Sequence, residues 1–283
     1  MDEGSQPGRP TGNRAARRPR GGCSTRAARQ FGDHALVRVL AVSDLHYRLR
    51  HYDWLFGAAA GVDVVAIAGD LADVASPVPL DVQIVVLDAY LARLAEHAVV
   101  LAASGNHDLD GADAHGEQGA AWLRRPRTGR VVTDGTSTDV AGPHGTTRFT
   151  VCPWWDGPVG RDAVAAQLAA ASTDRPQRWV WVYHSPPAGT VLCRDGRREF
   201  PDHDLAAWIE TYQPDVVLCG HIHQAPWVDG GSWRARLGRT LVINPGRQVG
   251  PVPPHVTIDT DAGTVEWFGV FDTEMVPLEW PAA

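Results

Sequence analysis

Five short apolar runs, each closing on Asp, Asn or His, constrain this chain more than any other feature. "ALVRVLAV" (35–42) leads into "SDLH", "DVVAIAG" (63–69) into Asp70, and "AVVLAAS" (98–104) into "GNHD". "RWVWVY" (178–183) ends on His184, and "DVVLCG" (215–220) runs into "HIH". Runs of this length and β-branched content read as buried strands. Between them, 51–60, 78–97, 161–172 and 204–212 carry apolar residues at helical spacing, so the front of the chain predicts an α/β fold. "TLVINPG", "HVTIDT" and "TVEWFGVF" predict consecutive antiparallel strands, a β-meander, at the back. No internal repeat of useful period is present. In open α/β sheets ligands gather beyond the carboxyl ends of the strands, which makes the polar residues there the candidate site.

Those residues are Asp44, His46, Asp70, Asn106, His107, Asp108, His184, His221 and His223. Taken singly, each is more often a hydrogen-bonded loop residue than a ligand. Five in succession are not random placement, which would scatter Asp, Asn and His over both sheet edges. Glycines precede the polar residue in "AGD", "SGNHD" and "CGHIH" and allow tight turns there. Imidazole, carboxylate and amide oxygen together suit first-row divalent ions such as Zn, Mn or Fe, not the all-oxygen sets of Ca. Asp44, His46, Asp70, Asn106, His184, His221 and His223 are too many for one tetrahedral ion. They fit two ions sharing a carboxylate, ~3.5–4 Å apart.

Composition excludes several classes. Forty-four per cent hydrophobic and 21% charged residues describe a globular chain, and its apolar runs fall far short of the ~20 residues of a membrane-spanning helix. All 26 basic residues are arginine, and seven of them lie in 1–30, which carries +5; the remainder carries −12. An acidic body argues against a general nucleic-acid surface and fits one that gathers carboxylates around cations. Residues 1–34, rich in Gly, Pro and Arg, predict a disordered tail. No apolar export segment follows "RRPR", and a misplaced start codon is an alternative account of the arm. The four scattered cysteines fit a reduced, cytoplasmic compartment. The domain is expected over 35–274, with 275–283 as a C-terminal tail.

"SDLH … GD … GNHD … H … GHIH" resembles the calcineurin-like metallophosphoesterases in order and rough spacing, over about residues 36–260. "HSPPAGT" and "INPG" look most like its small bacterial phosphohydrolases and class III cyclic-nucleotide phosphodiesterases. The resemblance implies a four-layer αββα sandwich with two facing mixed β-sheets. It also implies that Asp44, His46, Asp70 and His223 hold one ion and Asp70, Asn106, His184 and His221 the other, with Asp70 bridging. His221 and His223, two residues apart, are then expected to point the same way and serve different ions; an extended segment would place their Cα atoms ~6.5–7 Å apart.

Two such ions lower the pKa of a shared water, and the expected reaction is attack of that hydroxide on a small phosphoester. A phosphodiester such as a cyclic nucleotide is slightly favoured over a monoester or a nucleotide pyrophosphate. His107 is expected as the acid to the leaving oxygen or a phosphate contact, with Asp108 orienting its ring; the alternative is a structural pair. Arg194, Arg197 and Arg198 could meet an anionic substrate, though a solvated loop is the plainer reading. Trp154 and Trp155 could wall the cleft, though large aromatics are usually core. Asp73 and His203 have no assigned role, and "NPG" (244–246) is either near the site or a turn alone. A metal-binding scaffold without turnover is the reading from a different class.

Overall fold

The computed structural model describes Met1 and residues 37–280, apart from 128 and 143–144. The tail expected over 1–34 therefore lies, but for its first residue, outside the described residues, as does Cys23. In chain order the strands are β1 (Arg38–Val42), β2 (Val64–Ala68), β3 (Val99–Ala103), β4 (Gly111–Ala112), β5 (Gln118–Gly119), β6 (Val131–Thr133), β7 (Thr136–Gly142) and β8 (Gly145–Val151). They continue with β9 (Arg178–Val182), β10 (Val216–Leu218), β11 (Arg234–Leu237), β12 (Thr240–Ile243), β13 (His255–Asp259), β14 (Thr264–Phe268) and β15 (Thr273–Pro277). The helices are α1 (Leu49–Ala59), α2 (Leu80–Leu94), α3 (Pro158–Ser172) and α4 (His203–Tyr212).

The central strands are apolar throughout because both their faces are covered. In β1, Val39 and Ala41 point into one cluster and Leu40 and Val42 into another, the period-2 alternation of a strand. The first cluster joins Ala66, Leu101 and Val256 of one sheet to Phe149, Val180, Leu218 and Ile243 of the other. It is the layer between two facing sheets. The second cluster packs the outer side of the first sheet on Leu55 of α1 and Leu87, Leu91 and Leu94 of α2. A third packs the outer side of the second sheet on Val164 and Leu168 of α3 and Leu205 and Ile209 of α4. Each leucine so buried contributes roughly 1.5–3 kcal/mol. The result is the expected αββα sandwich.

The first sheet has the order β15-β14-β13-β1-β2-β3-β6 and the second β11-β12-β10-β9-β8-β7. In the first, β1, β2, β3 and β6 run parallel and β13 joins β1 antiparallel; in the second, β8, β9, β10 and β12 are parallel. The back of the chain departs from the expected meander. β12 ("TLVI") belongs to the second sheet, whereas β13 and β14 pair in the first. Local patterning marks a strand without naming its sheet, and the segment between β12 and β13 carries the chain across. The C-terminal boundary also moves: β15 pairs with β14 up to Pro277 and Leu278 is buried, so 274 falls inside a strand and not at the end of the domain.

Local signals explain the helix limits. Pro158 opens α3, where its missing N–H costs nothing, and Glu117 accepts hydrogen bonds from the exposed N–H groups of Val159 and Gly160. Asp202 caps α4 by accepting from Leu205 N at 2.7 Å. Cys152, Cys193 and Cys219 are free and buried. Among the described residues no helix is long and apolar enough to cross a membrane.

Candidate metal centre

The carboxyl ends of β1, β2, β3, β9 and β10 meet, and the loops leaving them bring the seven expected ligands together. The loop after β1 lies along the one after β2: Asp44 N donates to Gly69 O, His46 N to Asp70 O and Tyr47 N to Leu71 O. Holding that course requires left-handed backbone. Asp44 (φ 55°), His46 (44°), Asp70 (53°) and His221 (66°) adopt it, four of the six non-glycine residues with positive φ among those described. Each costs on the order of 1 kcal/mol, and such strain concentrates at functional sites.

Two groups of candidate side chains meet at one carboxylate, and ligand atoms of Asp44, His46, Asp70 and His223 all lie within 4.8 Å of one another. In the first, His46 Nε2 stands 3.0 Å from His223 Nε2, and His223 Nε2 stands 3.3 Å from Asp44 Oδ1. In the second, His221 Nδ1 lies 2.9 Å from Asn106 Oδ1, and the rings of His184 and His221 are 5.1 Å apart between centroids. Asp70 Oδ2 reaches both, 3.5 Å from His46 Nε2 and 3.3 Å from His184 Nε2. His221 and His223 thus face different groups, and the segment that carries them is not extended. β10 ends at Leu218, and Ile222 N–H closes on Gly220 O (2.7 Å), a γ-turn centred on His221.

Buried polar atoms test whether the set fits a metal. Asp44 Oδ2 is buried with no hydrogen-bond partner, a costly state for a carboxylate oxygen that lacks a cation to meet. His184 Nδ1 donates to Ala68 O at 2.8 Å, which turns Nε2 toward Asp70, the outer-shell arrangement that orients a ligating imidazole. A Cβ on Gly105 would stand 2.6 Å from Asp70 N and 2.7 Å from His184 Nε2, so only glycine lets these atoms close up. The donors fit divalent cations.

Charge agrees. Burial works to raise the Asp44 and Asp70 carboxyls, but the neighbouring histidines outweigh it and hold both below the usual range. Burial pushes His46 and His221 down to about 4, leaving them neutral near pH 7. Burial also opposes the charge on His184, yet Asp70 and Asp44 carry it up to about 9. Ionised carboxylates and neutral imidazoles are ligating forms; His184 would release its proton on binding metal.

Residues 37–225 match the sequence profile of calcineurin-like phosphoesterases, two thirds of the chain. The chain belongs to the calcineurin-like phosphoesterase family. It is accordingly a metal-dependent phosphoester hydrolase, of a family that binds a dinuclear metal centre. No curated protein sequence matches it. Among solved structures, TT1561 of Thermus thermophilus is 18% identical, with 87% of this chain and all of that one aligned and a TM-score of 0.52. The purple acid phosphatase PPD1 of yellow lupin (Lupinus luteus) seeds is 14% identical, over 87% of this chain and 54% of its own, with a TM-score of 0.50. At such identities the likeness is one of fold.

The calcineurin-like site also holds residues placed differently from expectation. Asp108 does not orient His107. It is fully buried, and its carboxylate accepts from the backbone N–H of Leu71 (3.2 Å), Ala72 (2.7 Å) and Gly105 (2.8 Å). Burial and the Asp70 charge push it up to about 8, against the pull of those donors. The carboxylate beside His107 is Asp73, whose Oδ1 is 3.3 Å from His107 Nδ1. Its only sequence signal was its place in "GDLAD". The "NPG" turn is part of the site's frame: buried Asn244 donates to Gly220 O (2.9 Å) and Ile222 O (3.1 Å), on either side of His221.

Trp154 stands beside the second ligand group, its ring 5.6 Å from that of His184 and 5.5 Å from that of His221. Trp155 turns into the second sheet's outer core and donates to Tyr183 Oη. Arg194 pairs with Glu199 through its side chain, and the backbone N–H groups of Arg197 and Arg198 donate to Asp195 Oδ1, which shapes the turn of this loop. What it offers the site is Phe200, exposed and 6.5 Å from His221 between ring centroids. His203 begins α4 and lines, with Trp154 and His184, a pocket of about 370 Å³.

Proposed function

We propose that the protein hydrolyses a small phosphodiester with two divalent transition-metal ions, Mn, Fe or Zn. Asp44, His46, Asp70 and His223 would hold one ion and Asp70, Asn106, His184 and His221 the other. The observation that carries this reading is the position of Asp70 Oδ2, 3.5 Å from His46 Nε2 and 3.3 Å from His184 Nε2. One carboxylate oxygen so placed can serve both halves of the set. When bound, the ions activate water near neutral pH and offset charge on the phosphate oxygens.

The chain's own residues supply the rest. Asp44 and Asp70 stay ionised, and His46 and His221 present lone pairs. His107 is partly exposed at the mouth and packs edge-on against His46, with ring centroids 4.5 Å apart. Its Nδ1 faces Asp73, so Nε2 is the ring nitrogen left to pass a proton to the leaving oxygen. Two pockets favour a diester over a monoester. One of about 370 Å³ includes His184; another, of about 380 Å³, is lined by Arg48, at the end of the loop that carries His46, and by His51 in the first turn of α1. A phosphorus between them has room for a substituent on each side.

The test is metal analysis of purified protein together with turnover of bis-(p-nitrophenyl) phosphate and p-nitrophenyl phosphate in added Mn. The diester should be the faster substrate. Faster monoester turnover reverses the preference, and two bound ions without turnover of either ester would make the protein a scaffold.

A further inference from the structure

The pocket of about 380 Å³ beside the loop after β1 is lined by Arg48, Leu49, Arg50, His51, Val249, Gly250 and Pro251. None of the seven candidate ligands lines it, so a group bound there is not the phosphate being cleaved. Its charge is lopsided. Among the described residues no carboxylate pairs with Arg48, Arg50 or Arg247, which lies two residues before Val249. Arg247 Nε is buried with no hydrogen-bond partner. His51 is itself 1% exposed and donates through Nε2 to Gly250 O at 2.8 Å.

Arg247 is tied to the centre by its backbone, its N–H donating to His223 O at 3.0 Å. Its guanidinium feels the carboxylates of Asp44, Asp73 and Asp70, and it also feels Arg48, which repels it. Those carboxylates cannot serve as its counter-charge in the working enzyme. Two divalent ions would neutralise Asp44 and Asp70, leaving the half-buried Arg48 and Arg247 to repel each other beside a cationic centre. Like charges held together in a low-dielectric setting are costly until an anion comes between them. The guanidinium fork is matched in shape to phosphate and carboxylate oxygens.

Building on the phosphoesterase reading, we infer that this pocket binds a second anionic group of the substrate, a phosphate or carboxylate. That group is carried on the substituent next to the Asp44–His46 side of the scissile phosphorus. Arg48 and Arg247 grip it, and Arg50 at the rim draws it in. A phosphoester lacking the second anion leaves the pair unpartnered and binds more weakly.

Calorimetric titration of the metal-loaded protein tests this with phosphonates, whose C–P bonds are not hydrolysed. Alkane diphosphonates and ω-phosphonocarboxylates of three to six carbons are compared with alkylphosphonates of equal length. At least one doubly anionic probe should bind about tenfold more tightly than its single-anion counterpart, or 1.4 kcal/mol. The better of the two series identifies the second anion. The gain should vanish in the Arg48→Ala/Arg247→Ala protein, return in part with Arg247→Lys, and leave alkylphosphonate affinity within about twofold. Arg48 makes no side-chain cap on α1 and Arg247 Nε bonds to nothing, so neither change removes a structural hydrogen bond.

No gain at any length, or a gain that survives the double substitution, overturns the inference. So does an equal loss for the alkylphosphonates, which would put the arginines on the scissile phosphate. Turnover of bis-(p-nitrophenyl) phosphate is scored separately. Its absence alongside a diphosphonate gain would remove the phosphodiesterase reading and keep the anion pocket.

Discussion

His46 Nε2 and His223 Nε2 face one another at 3.0 Å across 177 residues of chain. Two imidazole lone pairs so aimed repel unless a proton or a cation lies between them. His221, two residues before His223, instead meets Asn106. His223→Ala should therefore lose the ion of the Asp44–His46 group and keep the other, and His221→Ala should do the reverse. Metal analysis should find about one equivalent in each, and anomalous scattering should place it at different positions. Loss of both ions from either variant would show that the halves are not independent.

Asp73 and Asp108 should separate activity from stability. Asp73→Asn should slow turnover through His107 while the melting temperature stays put. Asp108→Ala strips the acceptor from three buried N–H groups. That should cost about 3 kcal/mol or more, a fall of roughly 6–12 °C in melting temperature for a domain of this size. Equal effects of the two changes on melting would contradict this division.

Asp134 gives stability a pH slope. Burial pushes its carboxyl from 3.8 up to about 6, although Ser104 donates to it through N (2.8 Å) and Oγ (2.7 Å). Between those values the unfolded chain has released the proton and the folded one retains it. Stability contributed at this site is present at low pH and is lost as pH rises from about 4 through 6, on the order of 3 kcal/mol in all. Urea unfolding of wild type and Asp134→Asn from pH 4 to 7 reads it out. The variant should lack this slope, and identical slopes would refute the assignment.

Gly105→Ala should empty the site without unfolding the protein. The added Cβ would meet backbone as well as His184 Nε2, so a side-chain rotation cannot relieve it. Metal content and turnover should both drop by at least about tenfold, with the circular dichroism spectrum kept. Full metal occupancy in the variant would count against the close packing.

Asn244→Ala should loosen the turn that carries His221. It removes three hydrogen bonds from a fully buried side chain, leaving Gly220 O and Ile222 O short of a donor and Gly246 N–H short of an acceptor. The expected result is a loss of about 1–3 kcal/mol and weaker retention of the ion on the Asn106–His184 side. A chelator competition comparing the two ions would detect it; equal weakening of both would mean a general effect on the fold.

The strands that carry the site were legible because each is buried on both faces and reads as an unbroken apolar run. β6, β7 and β8 were not: "TSTDVAG" and "GTTRFTV" are half-polar, and β7 lies at a sheet edge, where one side meets water. The strand nature of "TLVI" was readable and its sheet was not, since β12 finds its parallel neighbour β10 only when the second sheet assembles.

The sequence by itself determined which residue types gather at one sheet edge, because strand periodicity and strand length put Asp, Asn and His there. Only the tertiary structure decided which of these atoms face each other. Asp73 rather than Asp108 beside His107, Asn244 beneath the His221 turn, and Arg247 next to the centre all depend on contacts between distant segments. They also depend on left-handed turns at Asp44, His46, Asp70 and His221. The physical reason is that residue patterns report how deeply a local segment is buried, while the direction of a loop side chain is set by what the opposite sheet brings against it.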